Sequence, residues 1–465
     1  MSFTQLGLSQ TLNNHLTKHG YSSPTPIQAK AIPIILAGKD VMAAAQTGTG
    51  KTAAFCLPIL QRLAAGKKAK ANQARALILT PTRELAAQVF ESAKNYGEPL
   101  GLRSEVVYGG VKINPQMQRL RKGTDILVAT PGRLLDLFQQ RAIGFDNLEI
   151  LVLDEADRML DMGFIHDLKK IIALLPSQRQ NLMFSATFAN HIRDLAGSLM
   201  QNPQRIDVTP PNSTAAKVKQ WLIPVDKKQK PALLIQLIKN HNWPQILVFS
   251  RTKHGANKLV RLLDAAKISA LAIHGNKSQS ARMNALAKFK DKQVQVLVAT
   301  DIAARGLDIS QLPIVINLDL PNVAEDYVHR IGRTGRAEQS GQALSLVSAD
   351  EVDNLYAIER LIQKHIEREY ESGFEPVHEL PLSKPILPPK RKRPKKPKKA
   401  NNTASNYNSS DTKAQHPKKS KLQSPKVRSN KNTNSKTAGP NKQSNSTGKP
   451  ATKGNRKRPA FKKSK

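Results

Sequence analysis

A single cysteine, Cys56, stands in 465 residues. That excludes an internal disulfide framework and a cysteine-built zinc site, and an apolar helical setting makes Cys56 a small core residue. Long apolar runs are also missing: nothing approaches the roughly eighteen apolar residues that a membrane-spanning helix needs. Residues 1–10 carry no basic start followed by an apolar run, so no secretory signal is read there. These absences predict a soluble, cytoplasmic chain that works without a membrane in a reducing compartment. Aromatics run out towards the end, where only Tyr407 and Phe461 follow residue 380. Acids run out too: residues 381–465 hold 26 Lys+Arg against the lone Asp411, which is +25 of the total +38. Such a segment cannot bury enough apolar surface to offset its chain entropy and is expected to be disordered. A polyanion is its expected ligand, nucleic acid first.

What is present begins with Ala45-Gln46-Thr47-Gly48-Thr49-Gly50-Lys51-Thr52. It follows the apolar run 41–44 and precedes a helical pattern, so it reads as strand, glycine-rich loop and helix. Glycines let successive backbone N–H groups turn inward on a phosphate, and the helix N-terminus adds the positive end of its dipole. Lys51 would reach the β- and γ-phosphates, and the Thr52 hydroxyl would hold Mg²⁺. The pattern asks for glycine where Ala45 stands. Gly-Lys-[Ser/Thr] alone arises by chance in roughly one chain in four of this length, so the rest of the chain has to decide.

Short apolar runs recur at 76–80, 106–108, 126–129, 150–153 and 182–184 between helical patterns such as 84–95 and 165–175. Nearly continuous Val/Ile/Leu runs are how strands buried on both faces of a parallel sheet read. The alternation predicts a doubly wound α/β lobe. Most runs end in polar motifs: Pro81-Thr82-Arg83-Glu84, Gly109-Gly110, Thr130-Pro131-Gly132-Arg133, Asp154-Glu155-Ala156-Asp157 and Ser185-Ala186-Thr187. Ligands of such sheets bind outside the carboxyl ends of the strands, so these motifs should share a rim with the loop. Residues 207–214 have linker composition. A second set of runs follows at 246–249, 271–273, 294–299, 314–318 and 343–347, with no phosphate loop of its own. Helical spacing is read to about residue 371. The predicted organisation is a first α/β domain over 1–206, a linker over 207–218, a second over 219–372 and a basic tail over 373–465.

Two stretches carry the chemistry. Asp154 is placed to hold the Mg²⁺ shared with Thr52, partly through water, and Glu155 is the base that polarises an attacking water. His329-Arg330-Ile331-Gly332-Arg333-Thr334-Gly335-Arg336 sets three arginines at three-residue spacing, a pattern suited to anion contact. An arginine brought from another element neutralises charge on a γ-phosphate during transfer, so the site would be complete only when the two lobes close.

These motifs, in this order and spacing, resemble the DEAD-box ATP-dependent RNA helicases over roughly residues 1–370. The resemblance implies two RecA-like domains in tandem ahead of the basic tail, and it accounts for Ala45, which is usual in that family. The N-terminal lobe and tail look most like the bacterial RhlE type. By resemblance, Gln28, Gln46, Thr47, Gly48, Thr49, Gly50, Lys51 and Thr52 bind ATP, and Asp308 contacts the ribose. Either Tyr21 or Phe3 stacks on the base. A Gln amide offers a donor and an acceptor together, which suits the N6/N7 edge of adenine and mismatches guanine. Arg333 and Arg336 match the arginine-finger positions, while Ser185, Thr187 and His329 match elements coupling the ATP and RNA sites.

RNA contacts implied by the resemblance fall on Thr82, Arg83, Gly110, Thr130, Arg133, Arg251, Gly275 and Thr300. Hydroxyls, glycines and arginines of this kind contact the nucleic-acid backbone, so binding of single-stranded and duplex RNA should be independent of sequence. The expected activity is ATP hydrolysis coupled to closing and reopening the lobes on RNA. The competing reading is an RNA-annealing or clamping protein whose affinity comes from the tail; a DNA translocase is a weaker third. Ribosomal precursors and the RNA-degradation machinery are the partner classes left open, with monomeric action expected.

Overall fold

In the computed structural model, the described residues are 2–45, 49–186, 188, 190–208, 218–304, 307, 309, 312–334 and 341–386. Two seven-stranded sheets organise them, with every strand pairing parallel.

The first sheet contains β1 Val41–Ala44, β2 Ala74–Leu79, β3 Ser104–Val107, β4 Thr124–Ala129, β5 Ile150–Leu153, β6 Gln180–Ser185 and β7 Gln204–Asp207, in the order β3-β4-β2-β5-β6-β1-β7. Its central strands are buried residue by residue because both faces are covered. Side chains alternate across a strand, and the core divides accordingly. Ile78, Val128 and Val152 pack with Phe55 and Val89 of the helices Lys51–Ala64 and Arg83–Gly97. Leu77, Leu127 and Leu151 pack on the opposite face with Leu134, Leu168 and Leu195. Each fully buried Leu, Ile or Val contributes about 1.5–3 kcal/mol relative to exposure. Cys56 is buried in the first of these clusters, and burial pushes its thiol well above the ordinary range, so it is unreactive.

The second sheet contains β8 Val218–Pro224, β9 Ile246–Phe249, β10 Ala270–Ile273, β11 Val296–Ala299, β12 Ile314–Asn317, β13 Gly341–Val347 and β14 Glu367–Arg368, ordered β10-β11-β9-β12-β13-β8-β14. The same alternation sends Ile246 and Val248 into one cluster and Leu247 and Phe249 into another.

Three expectations differ from what forms. The β7 strand escapes the apolar pattern because it is a sheet edge, with only Ile206 buried among its residues. The helix after β13 ends at Ile362, where Gln363 takes the left-handed conformation at φ 56°, so helical structure does not continue to 371. The second domain also runs past 372. Leu380 is buried, Arg368 donates to the carbonyls of Leu380 and Pro381, and Ser383 donates to Glu359. Residues 373–386 are therefore a strap on the lobe, and the expected disorder of 387–465 concerns residues outside those described.

Candidate active site and RNA interface

The strand order sorts the polar motifs along one rim of the first sheet. Ala45 and Asp154 follow β1 and β5, and Ser185 ends β6, which lies between those two strands. Arg83, Thr130 and Gly110 follow β2, β4 and β3, the other half of the sheet. Nucleotide candidates and RNA candidates thus occupy adjoining halves of the same edge.

At the nucleotide half, Gly50 caps the helix Lys51–Ala64 with φ 88°, a conformation that glycine adopts without strain. A side chain there would also collide with Gln28, whose Nε2 would lie 2.4 Å from the added Cβ. Gln28 is buried; its Nε2 donates to the Gly50 carbonyl at 3.1 Å, and its Oε1 accepts from Thr25 N–H at 2.9 Å. Lys51 is buried at the helix start, and Thr52 is half-buried beside it. The two aromatic candidates separate: Phe3 is 6 % exposed in the core, whereas Tyr21 is 39 % exposed and shares a 3.0 Å hydroxyl contact with Tyr96.

Asp154 is 2 % exposed, and its carboxyl is pushed up to about 6, chiefly by burial, against the lowering effect of Lys51. Its Oδ1 accepts from Glu155 N–H at 3.0 Å. Glu155 holds φ 52°, ψ 51°, a left-handed conformation unusual outside glycine and asparagine. Asp157 was not singled out from the sequence, yet it links two motifs. Its Oδ1 accepts from Arg158 N–H and its Oδ2 from Ala186 N–H, each at 3.0 Å. Ser185 is buried, and its carbonyl accepts from Ala45 N–H at 3.0 Å. The third acid of the run was the available signal.

Arg330 and Arg333, the described arginines of those expected to meet anions, do not behave alike. Arg330 is consumed within the second lobe: it pairs with both oxygens of Asp301 at 2.5 and 2.7 Å, donates to Asn317 and to the Asp319 carbonyl, and lies over the Phe249 ring. It is a structural residue. Arg333 is buried, donates to the Leu307 carbonyl, and lines a small cavity between the lobes together with His329 and, from the first lobe, Arg158. Gln46, Thr47, Gly48, Thr187, Asp308 and Arg336 lie outside the described residues.

At the RNA half, Thr82 caps the helix Arg83–Gly97, its hydroxyl accepting from Leu85 N–H. Gly110 has φ 79°, and an added Cβ would sit 1.9 Å from an Arg83 guanidinium nitrogen, so Arg83 rests directly on that glycine. Thr130 is buried at the N-terminus of the helix Pro131–Gln139. Arg133 donates to the Val111 carbonyl but leaves buried Nε and Nη1 without a hydrogen-bond partner. In the second lobe Gly275, Thr300 and Arg251 follow the adjacent strands β10, β11 and β9. Nothing within 4 Å would meet a Cβ at Gly275. Arg251 is tied through its backbone to Asp319 and through its guanidinium to Glu351, and its Nε is unpartnered.

Two side chains missed in the sequence join the lobes. Gln279 and Arg282, on the helix Gln279–Lys290, both reach Glu84 of the first lobe, at 2.7 and 2.9 Å. Their spacing of three on a polar helix resembles any solvated face, so the sequence offered no usable signal.

The DEAD/DEAH box helicase family matches residues 25–195, and the helicase conserved C-terminal domain matches residues 229–338. The chain is 41% identical over 367 residues to the DEAD-box ATP-dependent RNA helicase CshA of Geobacillus kaustophilus, a match covering 79% of this chain and 78% of that protein. The chain belongs to the DEAD-box ATP-dependent RNA helicases. It is also 43% identical to the ATP-dependent RNA helicase DRS1 of Kluyveromyces lactis, across 80% of this chain and 50% of that one. Neither relative carries the RhlE name. Among solved structures, S. cerevisiae Dbp5 bound to RNA and ADP BeF3 is similar at TM-score 0.70 and 30% identity, covering 79% of this chain and 95% of that one. Mss116p bound to ssRNA and AMP-PNP is similar at TM-score 0.72 and 28% identity, covering 80% and 78%. The activity is therefore ATP-dependent remodelling of RNA by two RecA-like lobes, which leaves the clamping-only reading without support.

Proposed function

We propose that the ATP phosphates lie against the loop ending at Gly50, held by Lys51 and the N-terminus of its helix, with Tyr21 against the base and Gln28 reading its edge. Glu155 takes the proton of the attacking water, and Arg333, with Arg336, neutralises charge developing on the γ-phosphate. The observation that carries this reading is the meeting of the two lobes at one cavity: Arg158, three residues after Glu155, and Arg333 line it together.

Asp154 fits a divalent cation, because its buried carboxyl lacks full charge compensation and Thr52 offers a hydroxyl at the helix start. Among the described residues no three His, Cys, Asp or Glu cluster to hold a metal, so Mg²⁺ would take its remaining oxygens from phosphate and water. It would supply charge neutralisation on the phosphates.

RNA lies across the other half of both rims, against Thr82, Arg83, Gly110, Thr130, Arg133, Arg251, Gly275 and Thr300. Arg133 Nη1 and Arg251 Nε, which make no hydrogen bond, support phosphate as their ligand, while Arg133 Nε already faces Asp136 at 3.6 Å. All these contacts suit backbone rather than bases, which supports binding without sequence preference. Ribosomal precursors and RNA-degradation complexes are the proposed settings, on family resemblance alone. Because both halves of the site come from one chain, a monomer suffices.

The test is Glu155→Gln, which removes charge and basicity while keeping size. ATP binding should persist, hydrolysis should stop, and the complex should hold RNA for a long time. Wild-type turnover in this variant would sink the assignment.

A further inference from the structure

We propose that Arg158 is a positioning residue for Glu155, tying the orientation of that carboxylate to docking of the second lobe. The inference rests on the reading of Glu155 as the base. Arg158 Nε lies 3.5 Å from Glu155 Oε2, with both side chains only 5 % exposed. Glu155 Oε2 is buried and accepts no hydrogen bond. The pair is thus an ion pair without a hydrogen bond. Coulomb attraction, strong at this depth, steers the carboxylate, while its lone pairs stay free to receive a proton from water.

Arg158 is also the first-lobe wall of the cavity between the lobes, facing Asp301, Asp326, His329 and Arg333. That cavity is about 10 Å³, room for at most a single water. Asp301 is already engaged by Arg330. With the second lobe docked, the Arg158 side chain has little space to reorient, so the cation steering Glu155 is confined. With the second lobe away, this wall is gone and the long side chain regains its rotamers. Closure of the lobes therefore selects the orientation of the base through Arg158, separately from any arginine that touches the phosphate.

The test uses the full chain with saturating RNA, comparing Arg158→Gln and Arg158→Lys with the wild type. R158Q should lower kcat about tenfold or more while KM for ATP stays within about twofold, the signature of a transition-state interaction. R158K, keeping the charge on a different frame, should fall between R158Q and the wild type. RNA affinity in the presence of ADP and beryllium fluoride should be unchanged in both. Wild-type kcat in R158Q, a loss confined to KM, or R158K no better than R158Q would overturn the inference. If R158Q does not fold, R158K carries the test alone, and wild-type kcat in it overturns the inference. Glu155→Gln run in parallel separates the two claims. Turnover in E155Q sinks the base itself, whereas inactive E155Q beside unaffected R158Q sinks only the role of Arg158.

Discussion

Arg282 of the second lobe meets Glu84 of the first at 2.9 Å, with side-chain exposures of 11 % and 1 %. Gln279 takes the other Glu84 oxygen at 2.7 Å, and an Arg83 nitrogen stands 3.5 Å from Gln279 Oε1. A carboxylate buried in the first lobe is therefore satisfied wholly by the second. Removing one partner of such a pair leaves an uncompensated buried charge, which costs about 3–5 kcal/mol.

That cost falls on the docked arrangement of the lobes. Arg282→Ala should weaken RNA binding measured with a non-hydrolysable ATP analogue, by a hundredfold or more on the order of this penalty. The double variant Glu84→Ala/Arg282→Ala should lose less than the sum of the single losses, because no charge is left stranded. Strict additivity in the cycle would show that the two side chains do not act together.

Gln28 spends one donor on Gly50 and one lone pair on Thr25. An amide has two of each, so one donor and one acceptor remain for the N6/N7 edge of adenine. Gln28→Ala should raise KM for ATP about tenfold, the value of one or two hydrogen bonds, and reduce RNA-stimulated turnover. Gln28→Glu should be worse than its size implies, since an anion cannot donate to the Gly50 carbonyl. Equal hydrolysis of GTP and ATP by the wild type would contradict the assignment.

Burial pushes the Asp154 carboxyl up to about 6 in the folded chain, from about 4 for a free aspartate. Between those values the folded chain holds a proton that the unfolded chain has lost. The stability linked to this proton is present below about pH 4 and is lost as pH rises through about 6. At pH 7.5 the ionised carboxylate then burdens the fold by an amount on the order of 3 kcal/mol. Without nucleotide or metal, Asp154→Asn should raise the melting temperature at pH 7.5 and leave it nearly unchanged at pH 4. An equal shift at both values would mean that the effect is packing rather than ionisation.

The strap moves the point at which the tail can be removed cleanly. A truncation after residue 380 would strip Ser383 from Glu359 and Leu382 from Tyr356. Deleting 387–465 removes 25 Lys+Arg and Asp411, a change of −24, without touching those contacts. Basal ATPase should persist while apparent RNA affinity falls. For single strands the slope of log K against log[salt] is about −0.7 per phosphate neutralised, so engagement of a third of these charges predicts a slope flatter by roughly 5 to 6 units. Indistinguishable slopes in a salt titration would mean that the tail does not touch RNA.

The sequence by itself determined the buried central strands and the polar motifs at their ends, but not the strands β7, β8 and β14. Fully buried strands such as β5 are apolar at every position, and a run like 150–153 is legible because burial on both faces leaves no other pattern. The places of Asp154, Glu155 and Lys51 were legible for a related reason: an apolar run ends just before the two acids, and a glycine-rich loop opens the helix at Lys51. Tertiary structure alone decided which arginine is structural. Arg330 and Arg333 look alike in a row, but only the approach of β12 and the helix start at Asp301 surrounds Arg330 with acceptors. The edge strand β7, the strap and the Glu84 contact were hidden for the same physical reason. Each depends on partners far away along the chain, and a polar residue carries no mark of the distant group that will satisfy it.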